Sequence, residues 1–177
     1  MLYTIPYASP LGGLWLAADD RGVTGVWFAG EKYFPNWRGV SRKEREPPIL
    51  RETKRWLDIY FHGAEPDFMP PLHPIGSDFQ QVVWKILRQI PYGTTRTYGD
   101  IAAQIARARG VAKMSAQAVG GAVGHNDISI LIPCHRVVGK SGSLTGYAAG
   151  LEKKIRLLTL EKVDMSRFFV PKKGTAL

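Results

Sequence analysis

The chain has 177 residues, 45% of them hydrophobic, enough to bury a core as one or two small domains. A single cysteine excludes an intramolecular disulfide, and neither a leader-like opening nor an apolar run of membrane-spanning length occurs, so a soluble, cytoplasmic protein without membrane contact is expected. Lys and Arg total 24 against 15 Asp and Glu, and the whole excess falls in residues 76–177, a one-sided field suited to a nucleic-acid backbone without choosing DNA over RNA.

The first 75 residues read as a small sheet followed by a helix. Tyr3 to Tyr7, Leu14 to Ala18 and Val23 to Phe28 are rich in β-branched and aromatic residues, and the turn signals Ser9 to Gly13 and Asp19 to Gly22 separate them. An antiparallel meander is expected. A polar stretch from Asn36 to Glu46 leads to Pro47 and Pro48, a suitable helix start, after which Ile49, Thr53, Trp56, Leu57, Tyr60 and Phe61 recur at helical spacing. Pro66, Pro70, Pro71 and Pro74 then mark the crossing from a scaffold domain of residues 1–75 to a second domain of residues 76–177. No cysteine precedes Cys134, and His62 and His73 alone cannot build a tetrahedral site, so no zinc is expected.

The second domain reads as mainly helical. Ser77 or Asp78 caps a helix with the apolar stripe Phe79, Val82, Val83, Ile86, Leu87 and Ile90, ended by Pro91-Tyr92-Gly93. Thr97 caps the next, carrying Ile101, Ala102, Ile105 and Ala106, and after a basic connection from Arg107 a third begins near Ser115. Two helices so joined are compatible with a helix-turn-helix. In the latter, Ala116, Ala118, Gly120, Gly121, Ala122 and Gly124 leave almost no side-chain bulk, although glycine costs a helix interior about 1 kcal/mol relative to alanine. Something approaches that helix closely, either another helix or a ligand. A last helix from Leu151 to Lys162, with Leu151, Ile155 and Leu158 on one face, presents Glu161 from its C-terminal end.

Between these helices an apolar run stops at Pro133 and delivers Cys134 next to His135 and Arg136. A thiol attacks as its thiolate, so these polar neighbours make Cys134 a candidate nucleophile, the alternative being a small buried hydrophobe. Adjacent side chains on an extended segment point to opposite faces, so His135 is badly placed to take the Cys134 proton directly. A water would have to bridge them, with a carboxylate from elsewhere holding the imidazole.

The stretch Gln117-Ala-Val-Gly-Gly-Ala-Val-Gly-His-Asn126, the box Pro133-Cys-His-Arg136 and the run Gly146-Tyr-Ala-Ala-Gly150 together resemble the O6-alkylguanine-DNA alkyltransferases. The resemblance covers most of residues 76–163 and, more weakly, the N-terminal part. It implies an α/β (α+β) fold: a ribonuclease H-like N-terminal sheet with helix, then a helical domain with a winged-helix-like helix-turn-helix. The implied activity is irreversible, single-turnover transfer of an alkyl group from O6-alkylguanine in double-stranded DNA to Cys134, by a monomer without metal or organic cofactor. Since a stacked base hides its O6 substituent, base flipping is implied.

The resemblance also assigns roles. Glu161 orients His135, which polarises a water that accepts the Cys134 proton, and Asn126 braces the turn around the site. The Tyr147 hydroxyl protonates the leaving base, the Ala148 N–H meets the O6 edge, and the Cys134 and Val137 carbonyls take the exocyclic amine. Arg136 sits among these with structural hydrogen bonds. Tyr98 steers the target phosphate during rotation, and Ala118, Gly120 and Val123 belong to the helix face laid into the minor groove. Where many members carry an intercalating arginine, this chain has Gln117, which keeps hydrogen bonding but lacks a planar cation. Three other readings compete with this one. An alkyltransferase-like lesion-binding protein replaces the cysteine that is retained here, a cysteine hydrolase needs a histidine across the site, and a redox-sensing DNA-binding regulator needs reversible thiol chemistry.

Overall fold

The computed structural model describes residues 1–172 and divides into two compact units, one formed by Met1–Ile75 with Asp127–Leu131, the other by Gly76–Asn126 with the described residues from Ile132 onward. Residues 127–131, which lie within the expected second domain of residues 76–177, thus group with the first unit. The last five residues of the expected second domain lie outside the described residues.

In the first unit, β1 (Leu2–Ser9), β2 (Gly12–Ala18) and β3 (Val23–Phe28) form the expected antiparallel meander. A fourth strand, β4 (Arg42–Glu44), adds in parallel to β1, so the sheet is mixed, in the order β3-β2-β1-β4. Its Arg-Lys-Glu sequence has no strand character of its own, and the free edge of β1 recruits it. Leu14, Leu16, Val26 and Phe28 are buried, and α1 (Pro48–Phe61) contributes Leu50, Thr53, Trp56, Leu57 and Tyr60 to the same core. Register places Trp15 beside Trp27, where Trp37 meets both edge-on at 5.3 and 6.1 Å and the Arg42 guanidinium lies 4.7 Å over the Trp37 ring. The outer edge of β3 is also paired: Val23 exchanges backbone bonds with Pro71 and His73, and Val26 with Asp127 and Ser129.

In the second unit, Ser77 opens α2 (Asp78–Leu87) with a reciprocal capping box to Gln80. The apolar stripe of α2 is shifted from expectation: Val82 is exposed at 39%, whereas Trp84 is buried and donates its indole N–H to Ala122 O at 2.8 Å. Thr97 caps α3 (Tyr98–Arg109) through a second capping box with Asp100, and Gly110 ends it in the left-handed region, at φ 65°. After residues 110–115, Ser115 caps α4 (Ala116–Gly124), which packs on α2 and α3. The short strands β5 (Arg96–Thr97) and β6 (Val137–Val138) pair in parallel, and α5 (Leu151–Leu160) ends one residue before Glu161.

Candidate active site

Pro133 sets the geometry of the cysteine. Its φ and ψ of −81° and 64° make an inverse γ-turn, closed by the Cys134 N–H donating to Ile132 O at 2.8 Å. Cys134–Arg136 then forms a single 3₁₀ turn, not the extended segment expected, and runs into β6. With three residues per turn, neighbouring side chains diverge by about 120°, so His135 still points away from the Cys134 thiol. Asn126 donates Nδ2–H to Ile132 O at 2.8 Å, so one carbonyl two residues before the cysteine anchors both the turn and the end of α4. Cys134 is 7% exposed, reachable but largely removed from water.

Glu161, at the C-terminal cap of α5, is buried and accepts from His135 Nε2 at 2.6 Å, from Arg136 Nε at 2.9 Å and Nη2 at 3.0 Å, and from the Gly93 N–H at 3.1 Å. Burial alone would raise its pKa, but hydrogen bonds and charge from His135 and Arg136 outweigh it and hold the carboxyl at about 2. Burial pushes the His135 pKa down, opposed by Glu161 and assisted by Arg136 and Lys154. With the Nε2 proton facing Glu161, Nδ1 is the nitrogen left to act as a base. Arg136 also donates Nη1–H to Ile90 O at 2.7 Å, and its guanidinium lies 5.7 Å over the Tyr92 ring.

Sequence reasoning missed Lys154. It is fully buried on α5, and its ammonium donates to Val137 O at 2.6 Å and to Thr145 O and Gly146 O at 3.1 Å each. Burial lowers its pKa to about 8, opposed by the charge on Cys134. One cation thus ties the chain after the cysteine turn to the loop that presents Tyr147 and Ala148, both half-buried. The available signal was position: Lys154 falls three residues after Leu151 and four before Leu158, within the apolar face of its helix.

Burial bears on two of the expected assignments. Tyr98, expected at a phosphate, is buried, with its hydroxyl donating to Thr145 O at 3.2 Å; burial and the Cys134 charge both raise its pKa, so it stays protonated beside the thiol. The first turn of α3 faces inward, which removes Tyr98 from the exposed surface. Gly120 and Val123 are likewise buried, whereas Gln117, Ala118 and Gly121 form the exposed side of α4. A Cβ added to Gly121 would meet no other atom of the protein, so the protein's own packing does not require glycine there.

Residues 78–163 match the family model for the 6-O-methylguanine DNA methyltransferase DNA-binding domain, and residues 1–74 that for its ribonuclease-like domain. The chain belongs to the O6-methylguanine DNA methyltransferase family. It is 43% identical to the methylated-DNA–protein-cysteine methyltransferase of Haemophilus influenzae, across 92% of this chain and 87% of that one. Identity to the Methanosarcina acetivorans protein of the same name is also 43%, across 91% and 98% of the two chains. Among solved structures, Mycobacterium tuberculosis OGT in complex with DNA matches with a TM-score of 0.81 and 42% identity, covering 94% of each chain. Within the methyltransferase DNA-binding domain lie Cys134, His135, Asn126, Glu161 and Lys154, together with the exposed side of α4.

Proposed function

We propose that this protein repairs DNA by direct reversal, moving the alkyl group of O6-alkylguanine in duplex DNA onto Cys134 once per molecule, in the cytoplasm. The observation that carries the reading is the buried Glu161–His135 pair of 2.6 Å on the turn that holds the chain's single cysteine, inside a methyltransferase DNA-binding domain. Glu161 fixes the imidazole so that Nδ1 takes the Cys134 proton through a water, and the Lys154 ammonium favours the resulting thiolate. The sulfur attacks the alkyl carbon, a C–S bond forms as the C–O6 bond breaks, and the electron pair leaves on guanine O6. A proton from the Tyr147 hydroxyl neutralises the base. The Ala148 N–H and the Cys134 and Val137 carbonyls read the guanine edge, with Val137 O oriented by Lys154. The protonated Tyr98 hydroxyl belongs to the wall of this pocket instead of the phosphate surface. Gln117, on the exposed side of α4, fills the space left by the flipped base, and Ala118 and Gly121 allow α4 to lie close to the groove.

The reducing cytoplasm suits a thiol that must remain free until it meets its lesion. Intact-mass measurement after incubation with an O6-methylguanine duplex tests the reading. One added methyl group, mapped to Cys134 and never exceeding one per molecule, is expected; repeated turnover or modification at another residue overturns it.

A further inference from the structure

The loop between β6 and α5 carries Tyr147 and Ala148, and it is tethered twice. One tether is the set of bonds already described: Lys154 Nζ donates to Thr145 O and Gly146 O at 3.1 Å each, and the Tyr98 hydroxyl to Thr145 O at 3.2 Å. The other comes from the residues that follow Glu161. The Leu144 N–H donates to Phe169 O at 2.8 Å, the Phe169 N–H donates to Gly142 O at 3.1 Å, and Ser143 pairs with Phe169 in parallel register.

Local chemistry and packing put that segment there. Asp164 caps the 3₁₀ turn Met165–Arg167 by accepting from the Ser166 N–H at 3.1 Å, and Met165 and Phe168 pack on the buried cluster of Val138, Leu144, Leu158 and Val163. Phe169 is 50% exposed, so the loop holds its backbone and leaves its ring in water. The loop in turn adopts unusual backbone. Ser141 at φ 60° and Gly142 at φ 88° take the central positions of a turn closed by the Ser143 N–H donating to Lys140 O at 3.3 Å. A left-handed serine is disfavoured and persists only where its surroundings fix it. At Gly142 the segment passes so close that a Cβ would collide with Arg167 O.

We propose that Asp164–Phe169 is a positioning element of the transfer site, a strap whose backbone bonds to Gly142 and Leu144 hold the loop that presents Tyr147 and Ala148 to the guanine. The inference rests on the alkyl-transfer reading above. Cys134 is fixed by other means, the Pro133 turn and the Asn126 amide on Ile132 O. Loosening the strap therefore separates two properties of the site: the thiol keeps its reactivity, while the base loses its alignment with it.

Two rates of Cys134 alkylation test this in wild type, Gly142→Ala, Phe169→Pro and Val170→Pro. One is methyl transfer from a saturating O6-methylguanine duplex, the other modification by iodoacetamide, which needs no guanine alignment. Gly142→Ala forces the loop away from Arg167 O, and Phe169→Pro deletes the N–H bonded to Gly142 O but retains the carbonyl that accepts from Leu144. In both, transfer from the duplex should slow about five- to tenfold, the worth of one hydrogen bond spent on alignment, with the iodoacetamide rate within about twofold of wild type. Val170→Pro, one residue beyond the paired stretch, should match wild type in both rates. An unchanged duplex rate in Gly142→Ala and Phe169→Pro, an equal loss in Val170→Pro, or a matching change in the iodoacetamide rate, as general loosening of the domain would give, overturns the proposal. Failure of wild type to take a methyl group from the duplex would instead overturn the alkyl-transfer reading itself.

Discussion

The two units of this protein treat charge in opposite ways. In the first, ion pairs such as Lys54–Glu46 and Arg42–Glu44 sit in contact with water, where each contributes little, and stability comes from apolar packing of sheet against helix. In the second, His135, Arg136, Lys154 and Glu161 are all buried, an arrangement that is expensive unless every group is paired. A fold spends stability in this way where it needs a charge held still. The contrast thus sets the buried charge cluster around Cys134 apart from the exposed ion pairs of the first unit.

The largest effect is expected from Cys134→Ala, which should abolish alkyl transfer while leaving duplex affinity within about twofold, because phosphate contacts supply most of that affinity. A gel-shift titration beside the mass assay checks both halves. Next in size, Glu161→Gln removes the one carboxylate that pairs with both His135 and Arg136. Breaking a buried pair costs about 3–5 kcal/mol, so the melting temperature should fall by roughly 6–20 °C, against no more than about 3 °C for Glu46→Gln in the first unit.

The pH dependence of stability separates the buried charges. Glu161 is held at about 2 against an ordinary 4.5, so its contribution is complete above the unfolded value and disappears as pH falls from 4.5 to 2. Its size is about 3 kcal/mol. Lys154 has the opposite sign. Its folded pKa of about 8 lies below the ordinary 10.5, so the protein carries a penalty below pH 8 that is relieved as pH rises toward 10.5. Between pH 8 and 10 the wild-type melting temperature should gain from this relief, and Lys154→Met should lack the gain. If both proteins respond alike, Lys154 is not the titrating group.

A smaller effect is expected at Gln117. Gln117→Ala should lower repair of a duplex lesion about tenfold, with transfer from free O6-benzylguanine little changed, since stacking and orphan-base contacts contribute on the order of 1–3 kcal/mol. Equal losses on both substrates would move Gln117 into the pocket.

Glycine gives the finest test of the comparison. In the first unit a Cβ at Gly25 would collide with the Trp27 ring, so Gly25→Ala should destabilise the sheet. On α4 a Cβ at Gly121 meets nothing, so Gly121→Ala should stabilise the helix by about 0.5–1 kcal/mol while weakening duplex binding. Thermal melts and binding isotherms of the two variants give that pair of signs directly.

What the sequence disclosed follows from how local each signal is. Strands β1 to β3, the capped starts of α2, α3 and α4 and the Pro-Cys-His-Arg turn are written in neighbouring residues, so pattern and turn chemistry suffice. Strand β4 is not: three charged residues become a strand only because the edge of β1 is open to them. The inward turn of Tyr98 and the exchange of Val82 for Trp84 depend on what packs against α2 and α3, which no single helix records. Lys154 was concealed by its residue type, since a lysine beside another lysine reads as surface until three carbonyls are found around it.

The excursion of residues 127–131 has a consequence for how the protein can be cut or rebuilt. Asp127 and Ser129 of that segment find hydrogen-bonding partners on β3, yet the segment is spliced between α4 and Cys134. A fragment beginning at residue 76 would keep Cys134, His135, Lys154 and Glu161 and lose the strand that pairs with the chain just ahead of Cys134. Supplying Met1–Ile75 as a separate polypeptide should restore that pairing in trans. Recombining these segments with those of relatives should therefore succeed only where the 127–131 segment travels with the sheet it matches.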